Sequence, residues 1–172
     1  MSTSIVLTVV SEDRPGIVEA LSETLAQYQG NWSESSMMSL AGQFAGILLV
    51  SVPDNQVEPF LAGLDALQSR GIRIVAQRSA GDSVPELRRE VSLDLVGQDR
   101  AGIVHDITEV LSRHRASVQE LETTVESASM SGESLFRASA RIFIPGDVRL
   151  EHLQDELEKL ANELMVDISL EG

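Results

Sequence analysis

"VVSEDRPGIVEALSETLAQYQGNW", residues 9–32, joins an apolar run to a helix-like pattern through an acidic turn that contains Pro-Gly. A second stretch, "LVGQDRAGIVHDITEVLSRHRASV" at residues 95–118, repeats the turn as Asp-Arg-x-Gly-Ile-Val. Aligning Gly16 with Gly102 sets a shift of 86 residues, and the surrounding apolar pattern follows that shift. The sequence therefore predicts a tandem repeat of one folding unit.

The same order of elements surrounds both turns. A strand-like run precedes each turn, and apolar residues spaced by three and four after it predict an amphipathic helix. Gly30 is expected as the C′ residue that ends the first helix. Two strand candidates then flank a glycine turn, at Gly42 and at Gly132. A second amphipathic helix, with Asp54 or Asp147 as its expected N-cap, and a last strand complete each copy.

This β-α-β-β-α-β order is typical of the ferredoxin-like split unit. The predicted fold class is α+β, with two such units, each a four-stranded antiparallel sheet with two helices on one face. We predict a first domain at 1–80 and a second at 90–172. Residues 81–89 are the predicted linker, because "SAGDSVPELRRE" (79–90) contains Gly, Pro and charge but few apolar residues.

The composition argues against several classes of function. The net charge of −14 and the single lysine oppose direct binding to nucleic acid or to an anionic membrane. No cysteine is present, which excludes disulfides, thiolate catalysis and Cys-based zinc sites. The three histidines are too far apart in sequence for a compact ligand set, so no metal site is expected. With no signal-peptide pattern and no long apolar run, the expected location is the cytoplasm.

The strand, the Asp-Arg-Pro-Gly-Ile turn, the amphipathic helix and the Gly30-Asn31 pair together resemble the ACT domain, over essentially the whole chain. The tandem arrangement, the length and "MSGESLF" (130–136) resemble the glycine cleavage system transcriptional repressor group. This resemblance implies a regulatory module that binds a small amino acid, with glycine as a candidate. It also implies action through a partner transcription factor rather than through DNA. A homodimer is expected, and no cofactor.

The repeated turn has the chemistry to bind an amino acid. The first amides of the following helix have no intrahelical partner and carry partial positive charge, so they can receive a carboxylate. A glycine at the turn lets a ligand approach the backbone, and Asp13 or Asp99 could take the ammonium group. Pro15 suits the first turn of a helix. The family pattern adds a polar residue at the start of the second strand, expected beside the turn: Asn31 in the first copy.

The expected ligand-binding set is Ser11, Asp13, Arg14, Pro15, Gly16, Ile17 and Asn31 in the first copy, and Asp99, Ala101, Gly102, Ile103 and Ser117 in the second. The second copy lacks Ser11, Pro15 and Asn31, and has Gly97, Ala101 and Ser117 instead. We therefore expect the first copy to hold the better site.

Each of these residues also has a purely structural interpretation. The two aspartates could be helix N-caps, the glycines could only allow helix and sheet to pack closely, and Asn31 could be an ordinary turn residue. Arg14 and Arg100 could be solvated or paired with acids such as Glu12.

Two other functions are alternatives to a regulatory module that binds an amino acid. One is a ligand-free interaction module whose sheets pair edge to edge, within the chain or with a second chain. The other is an enzyme, although no nucleophile elbow, P-loop or dinucleotide motif occurs and no catalytic residue is predicted.

Overall fold

The computed structural model describes residues 1–80, 87–128 and 130–172. Contacts between residues divide the chain into two compact units, Met1–Ser83 and Val84–Gly172. Most of the predicted linker, residues 81–86, lies outside the described residues. Its last two residues, Arg88 and Arg89, already belong to the first strand of the second unit, because they pair with Pro145 and Ile144.

The first unit contains four strands and two helices. In chain order these are β1 (Ser2–Glu12), α1 (Ile17–Gln27), β2 (Asn31–Leu40), β3 (Gln43–Pro53), α2 (Val57–Gln68) and β4 (Arg73–Arg78), with a short 3-10 turn at Asp54–Gln56 before α2. The sheet order is β2-β3-β1-β4, and every pair is antiparallel. β2 and β4 are therefore the edge strands.

The second unit repeats this topology. Its elements are β5 (Arg88–Gln98), α3 (Ile103–Arg113), β6 (Ser117–Ser127), β7 (Ser134–Pro145), α4 (Leu150–Leu164) and β8 (Val166–Glu171), and its sheet order is β6-β7-β5-β8. The predicted α+β class with two βαββαβ units is confirmed.

Alternation along each central strand places the core on one face of the sheet. Ile5, Leu7 and Val9 of β1 are buried with the apolar sides of α1 and α2, whereas the residues between them face away from the helices. In the second unit Leu93 and Leu95 are buried in the same way. Each buried aliphatic side chain contributes about 1.5–3 kcal/mol. Among the described residues, the opposite face of each sheet has no helix of its own unit over it. No helix in the described ranges is long and apolar enough to cross a membrane.

The predicted N-caps of the second helices are wrong. The N-cap residues are Gln56 for α2 and Arg149 for α4, and neither makes a side-chain cap bond. Asp54 instead accepts a hydrogen bond from Thr3 Oγ1 at 2.8 Å. Asp147 accepts one from Arg115 Nη2 at 2.7 Å. The two carboxylates therefore bind side chains of other segments rather than capping α2 and α4.

The predicted C′ glycine is shifted by one residue. Gln29 is the left-handed residue after α1, with φ 59°, and the Gly30 N–H donates to the Leu25 carbonyl at 2.9 Å. This is a Schellman ending, with Gly30 at C″. A Cβ on Gly30 would overlap the Leu25 side chain, so glycine is needed there for space rather than for its backbone angle.

Candidate functional site at the strand-to-helix turn

Gly16 and Gly102 are the N-cap residues of α1 and α3, and both have left-handed backbone angles. Their φ values are 93° and 86°, a region that residues with a Cβ rarely adopt. A Cβ on either glycine would have no heavy atom within 4 Å. The interpretation that these glycines allow close helix–sheet packing is therefore wrong. The backbone angle requires glycine, and the space beside it is open.

The amides at the start of each helix are not capped by a side chain. The first intrahelical bonds run from the Ala20 N–H to the Gly16 carbonyl (3.0 Å) and from the Asp106 N–H to the Gly102 carbonyl (2.9 Å). The amides of residues 17–19 and 103–105 thus have no intrahelical acceptor. The N-cap interpretation of Asp13 and Asp99 is wrong. Pro15 precedes the N-cap and lies outside the first helical turn, and Ala101 holds the same place in the second unit.

Asp13 links the turn to the β2–β3 hairpin. Its Oδ2 accepts a hydrogen bond from Ser39 Oγ at 2.7 Å, and its N–H donates to the Gly42 carbonyl at 2.9 Å. A carboxylate accepts several hydrogen bonds, so capacity for an ammonium group remains. Within the described ranges Asp99 makes only the equivalent backbone bond, in which its N–H donates to the Ser134 carbonyl at 2.9 Å. Ser39 was not predicted, because only the hairpin register brings it to the turn.

Arg14 is held by the backbone. Its guanidinium donates to the Arg70 carbonyl just after α2 and lies close to Gly71. Arg14 is exposed, as expected for a solvated side chain, but its hydrogen bond is to this backbone carbonyl rather than to Glu12. Arg14 joins the turn after β1 to the turn after α2 and thereby supports the site from outside.

Ser11 and Gly97 differ for a packing reason. Ser11 is 4% exposed, and its Oγ donates to the Glu12 carbonyl at 2.8 Å. At Gly97 a Cβ would overlap the Val166 side chain. The second unit therefore lacks the hydroxyl because Val166 fills its place. Ile17 and Ile103 are each 3% exposed and belong to the core, so only their amides are available to a ligand.

Asn31 is not beside the turn of its own unit. Asn31 pairs with Ser51, whereas Glu12, just before the turn, pairs with Gln43. Ser51 and Gln43 are eight residues apart on β3, which is about 26 Å. The expected proximity of Asn31 to the turn is wrong within one unit, because α1 carries the chain back along the sheet before β2 begins.

Ser117 is likewise far from the turn of its own unit. It pairs with Phe143, whereas Gln98 pairs with Leu135 at the other end of β7. Each unit therefore brings together its turn residues and separates them from the polar residue that begins the next strand.

The described ranges contain no group of three or more His, Cys, Asp or Glu side chains that could bind a metal ion. His114 Nε2 lies 3.3 Å from Glu156 Oε2, which joins α3 to α4. In the first unit Tyr28 stands at the equivalent position and packs edge-on to Phe60, with ring centroids 6.1 Å apart. Both contacts hold the two helices of a unit together.

Comparison with known proteins supports the repeat. The ACT domain family profile matches residues 3–77 and 91–171, once in each unit. A UPF0237 protein of Methanopyrus kandleri is 34% identical over 74 residues, which cover 43% of this chain and 77% of that protein.

Two solved structures match the chain over nearly its whole length. One is a protein of unknown function from Galdieria sulphuraria, 33% identical, with a TM-score of 0.89 and coverage of 99% of this chain and 98% of that one. The other, described as a candidate glycine cleavage system transcriptional repressor, is 21% identical, with a TM-score of 0.68 and coverage of 99% and 97%. The second similarity shows a shared fold.

Proposed function

The chain belongs to the ACT domain family, and on that premise we propose that it is a regulatory protein that binds a small amino acid at the turn of the first unit. One observation carries the proposal. The left-handed Gly16 stands beside open space at the start of α1, where no side chain caps the helix. A ligand carboxylate can accept hydrogen bonds from the amides of residues 17–19 in the way that anions bind at helix N-termini.

Asp13 supplies the second half of the recognition. An amino acid carries an ammonium group next to its carboxylate, and the Asp13 carboxylate is exposed at the same turn as the amides. The hydrogen bond from Ser39 orients it. A charge-assisted hydrogen bond from the ammonium group to this carboxylate completes a site for a zwitterion. Ser39 favours the first unit over the second, because its hydrogen bond orients Asp13.

Asn31 contributes to a site only on a sheet other than its own. It begins β2, an edge strand, and it is exposed about 26 Å from its own turn. An edge strand can pair with another ACT-type sheet. Asn31 then reaches a ligand held at the turn of that second sheet.

The regulatory output is exerted on a protein rather than on nucleic acid. A net charge of −14 repels phosphate backbones, and no catalytic motif occurs in the sequence. The fold shared with the candidate glycine cleavage repressor supports a partner transcription factor, with glycine as the first ligand to try.

A thermal-shift screen with the common amino acids, followed by calorimetry on those that raise Tm, tests this function. A ligand that binds only the folded state raises its stability. Asp13→Asn should abolish the shift while Asp99→Asn, at the matching position of the second unit, leaves it. If no amino acid binds at millimolar concentration, the sensor function is refuted.

A ligand-free interaction module is the second candidate, and β6 favours it. All eleven residues of this edge strand are exposed, so its unpaired amides and carbonyls are available to another strand. Under this function the chain would associate with a protein partner equally well with and without every amino acid in the screen.

A further inference from the structure

The sheet face without helices differs between the two units. In the first unit this open face is mostly apolar. The register places Val6, Val10, Met38, Ile47, Leu49 and Val75 on it, together with Thr8, Ser36 and Gln77. Ile47 is 58% exposed, Val75 61% and Met38 53%. Ile47 and Val75 both pair with Thr8 at the centre of the face. Exposed apolar side chains clustered on one face in this way mark an interaction site rather than scattered surface residues.

The equivalent face of the second unit is polar. Asp94 stands where Thr8 does, and its partners are Ser139 and Ser169 in place of Ile47 and Val75. Around them Arg141 lies 3.6 Å from Glu90 and 3.4 Å from Glu120. The fold therefore does not require an apolar open face, and the patch of the first unit needs another explanation.

Two charged residues mark diagonally opposite corners of the apolar face. Glu34 on edge strand β2 pairs with Leu49, in the row of Val6. Arg73 on edge strand β4 pairs with Val10, at the other end of the face. Both side chains are exposed, and neither makes a hydrogen bond or ion pair within the described part of the chain. A face with this pattern is complementary to a copy of itself.

We infer that the open face of the first sheet is the interface through which two copies of this chain associate. A two-fold axis in the plane between the faces places Glu34 over the partner's Arg73, and the reverse, with the apolar residues between these two pairs. The strands of the two sheets then cross at nearly a right angle, one of the two stable ways in which sheets pack.

Charge favours a second copy at this face over the rest of the surface. Residues 1–80 carry 8 acidic and 4 basic residues, net −4, whereas residues 81–172 carry 19 and 9, net −10. Two identical acidic chains repel least where their charge is lowest. At two corners of the interface, Glu34 of one copy faces Arg73 of the other, and these opposite charges attract.

The size of the face fits a weak, reversible dimer. The rows of Val6 and Val10 are four residues apart on β1, so the face is about 19 Å wide and, with the side chains at both ends, about 20 Å long. Each copy then buries about 400 Å² and the pair about 800 Å², an area found in weak or transient association. This interface uses a sheet face, so it leaves the edge strands free and does not depend on ligand binding.

Sedimentation velocity of the full chain over a concentration series tests the interface. The wild type should dimerise reversibly as its concentration rises, and Ile47→Glu should raise the dimer Kd at least tenfold. Ser139→Glu, at the matching position of the second unit, should leave Kd unchanged. A monomeric wild type, or an Ile47→Glu variant that dimerises normally, overturns the inference. Circular dichroism verifies that each variant is folded.

A charge exchange tests the two-fold arrangement without touching the apolar centre. Glu34→Arg and Arg73→Glu should each weaken the dimer at low salt, because each brings like charges together. The double variant Glu34→Arg/Arg73→Glu should restore the wild-type Kd. If the single variants do not weaken the dimer, or the double variant fails to restore it, the proposed interface is wrong. Both residues are exposed, so this test holds even if Ile47→Glu does not fold.

Discussion

Asp13 and Asn31 lie at opposite ends of the first sheet. Asp13 is bound to Ser39 and Gly42 at the β2–β3 turn, whereas Asn31 pairs with Ser51, eight residues back along β3 from Gln43. The two residues therefore cannot contact one small ligand within a single unit. Substitutions at the two positions test different surfaces of the molecule.

Asn31→Ala should weaken amino-acid binding by about 1–3 kcal/mol, the usual cost of leaving a polar partner unpaired. The free energy of unfolding should hardly change, because Asn31 is exposed at a strand edge. Calorimetry with the amino acid found in the thermal-shift screen measures the loss. Ser117→Ala is the matched control in the second unit. Unchanged affinity in Asn31→Ala would exclude Asn31 as a ligand contact.

Gly16→Ala should lower the free energy of unfolding by about 1–2 kcal/mol, because a Cβ is strained at φ 93°. No steric clash adds to this cost, since no atom lies within 4 Å of the new Cβ. Gly16→Asn should cost less, because asparagine tolerates the left-handed region. Urea unfolding measures both variants.

Gly102→Ala is the companion variant in the second unit. It should be destabilised to a similar degree, because its φ is 86°, but it should keep the amino-acid affinity of the first site. If Gly16→Ala were as stable as the wild type, the turn would have to adopt another backbone conformation without cost.

Gly97→Ser should destabilise the second unit by about 1–3 kcal/mol through overpacking, since its Cβ would overlap the Val166 side chain. Adding Val166→Ala should recover part of that loss by vacating the space. Ser11→Gly in the first unit creates no clash and serves as the control. Chemical unfolding of the wild type, the two Gly97→Ser variants and Ser11→Gly measures these differences. A Gly97→Ser variant as stable as the wild type would contradict the packing explanation.

Arg115→Met should raise the pKa of Asp147 towards its ordinary value. The side-chain hydrogen bond from Arg115 is the main cause that lowers this pKa, and the positive charge of Arg115 adds to it. A lowered carboxyl pKa stabilises the folded state above the unfolded-state pKa, and that contribution is lost as the pH falls through the folded-state value. The effect on stability should be small, because the pair is exposed.

A carbon-detected NMR titration of Asp147 between about pH 2 and pH 6, around the ordinary Asp value, measures the shift. Arg113→Met, which removes a neighbouring arginine that faces Glu156 instead, is the control. An identical titration curve in Arg115→Met and the wild type would show that the ion pair does not form in solution.

Local patterns in the sequence were sufficient to predict the secondary-structure elements and their order. The period of two in "EVSLDLV" and the spacing of Ile17, Leu21 and Leu25 reflect which side of a strand or helix is buried, and that signal lies within about ten residues. Helix ends were less predictable, as Asp54 and Gly30 show, because capping depends on bonds to segments elsewhere. Thr3 engages Asp54, and Leu25 occupies the space beside Gly30.

The sequence by itself determined that this protein is a repeat of one βαββαβ unit with a glycine turn before each first helix. Backbone angle and apolar period are local properties, so they are visible in a short stretch of residues. Only the tertiary structure decided that Ser39 orients Asp13, that Asn31 lies about 26 Å from its own turn, and that Glu34 and Arg73 occupy opposite corners of an apolar face. Each of these positions follows from antiparallel strand pairing. The register of the strands brings together residues that are far apart in the sequence, and it separates residues such as Asp13 and Asn31, which only α1 connects.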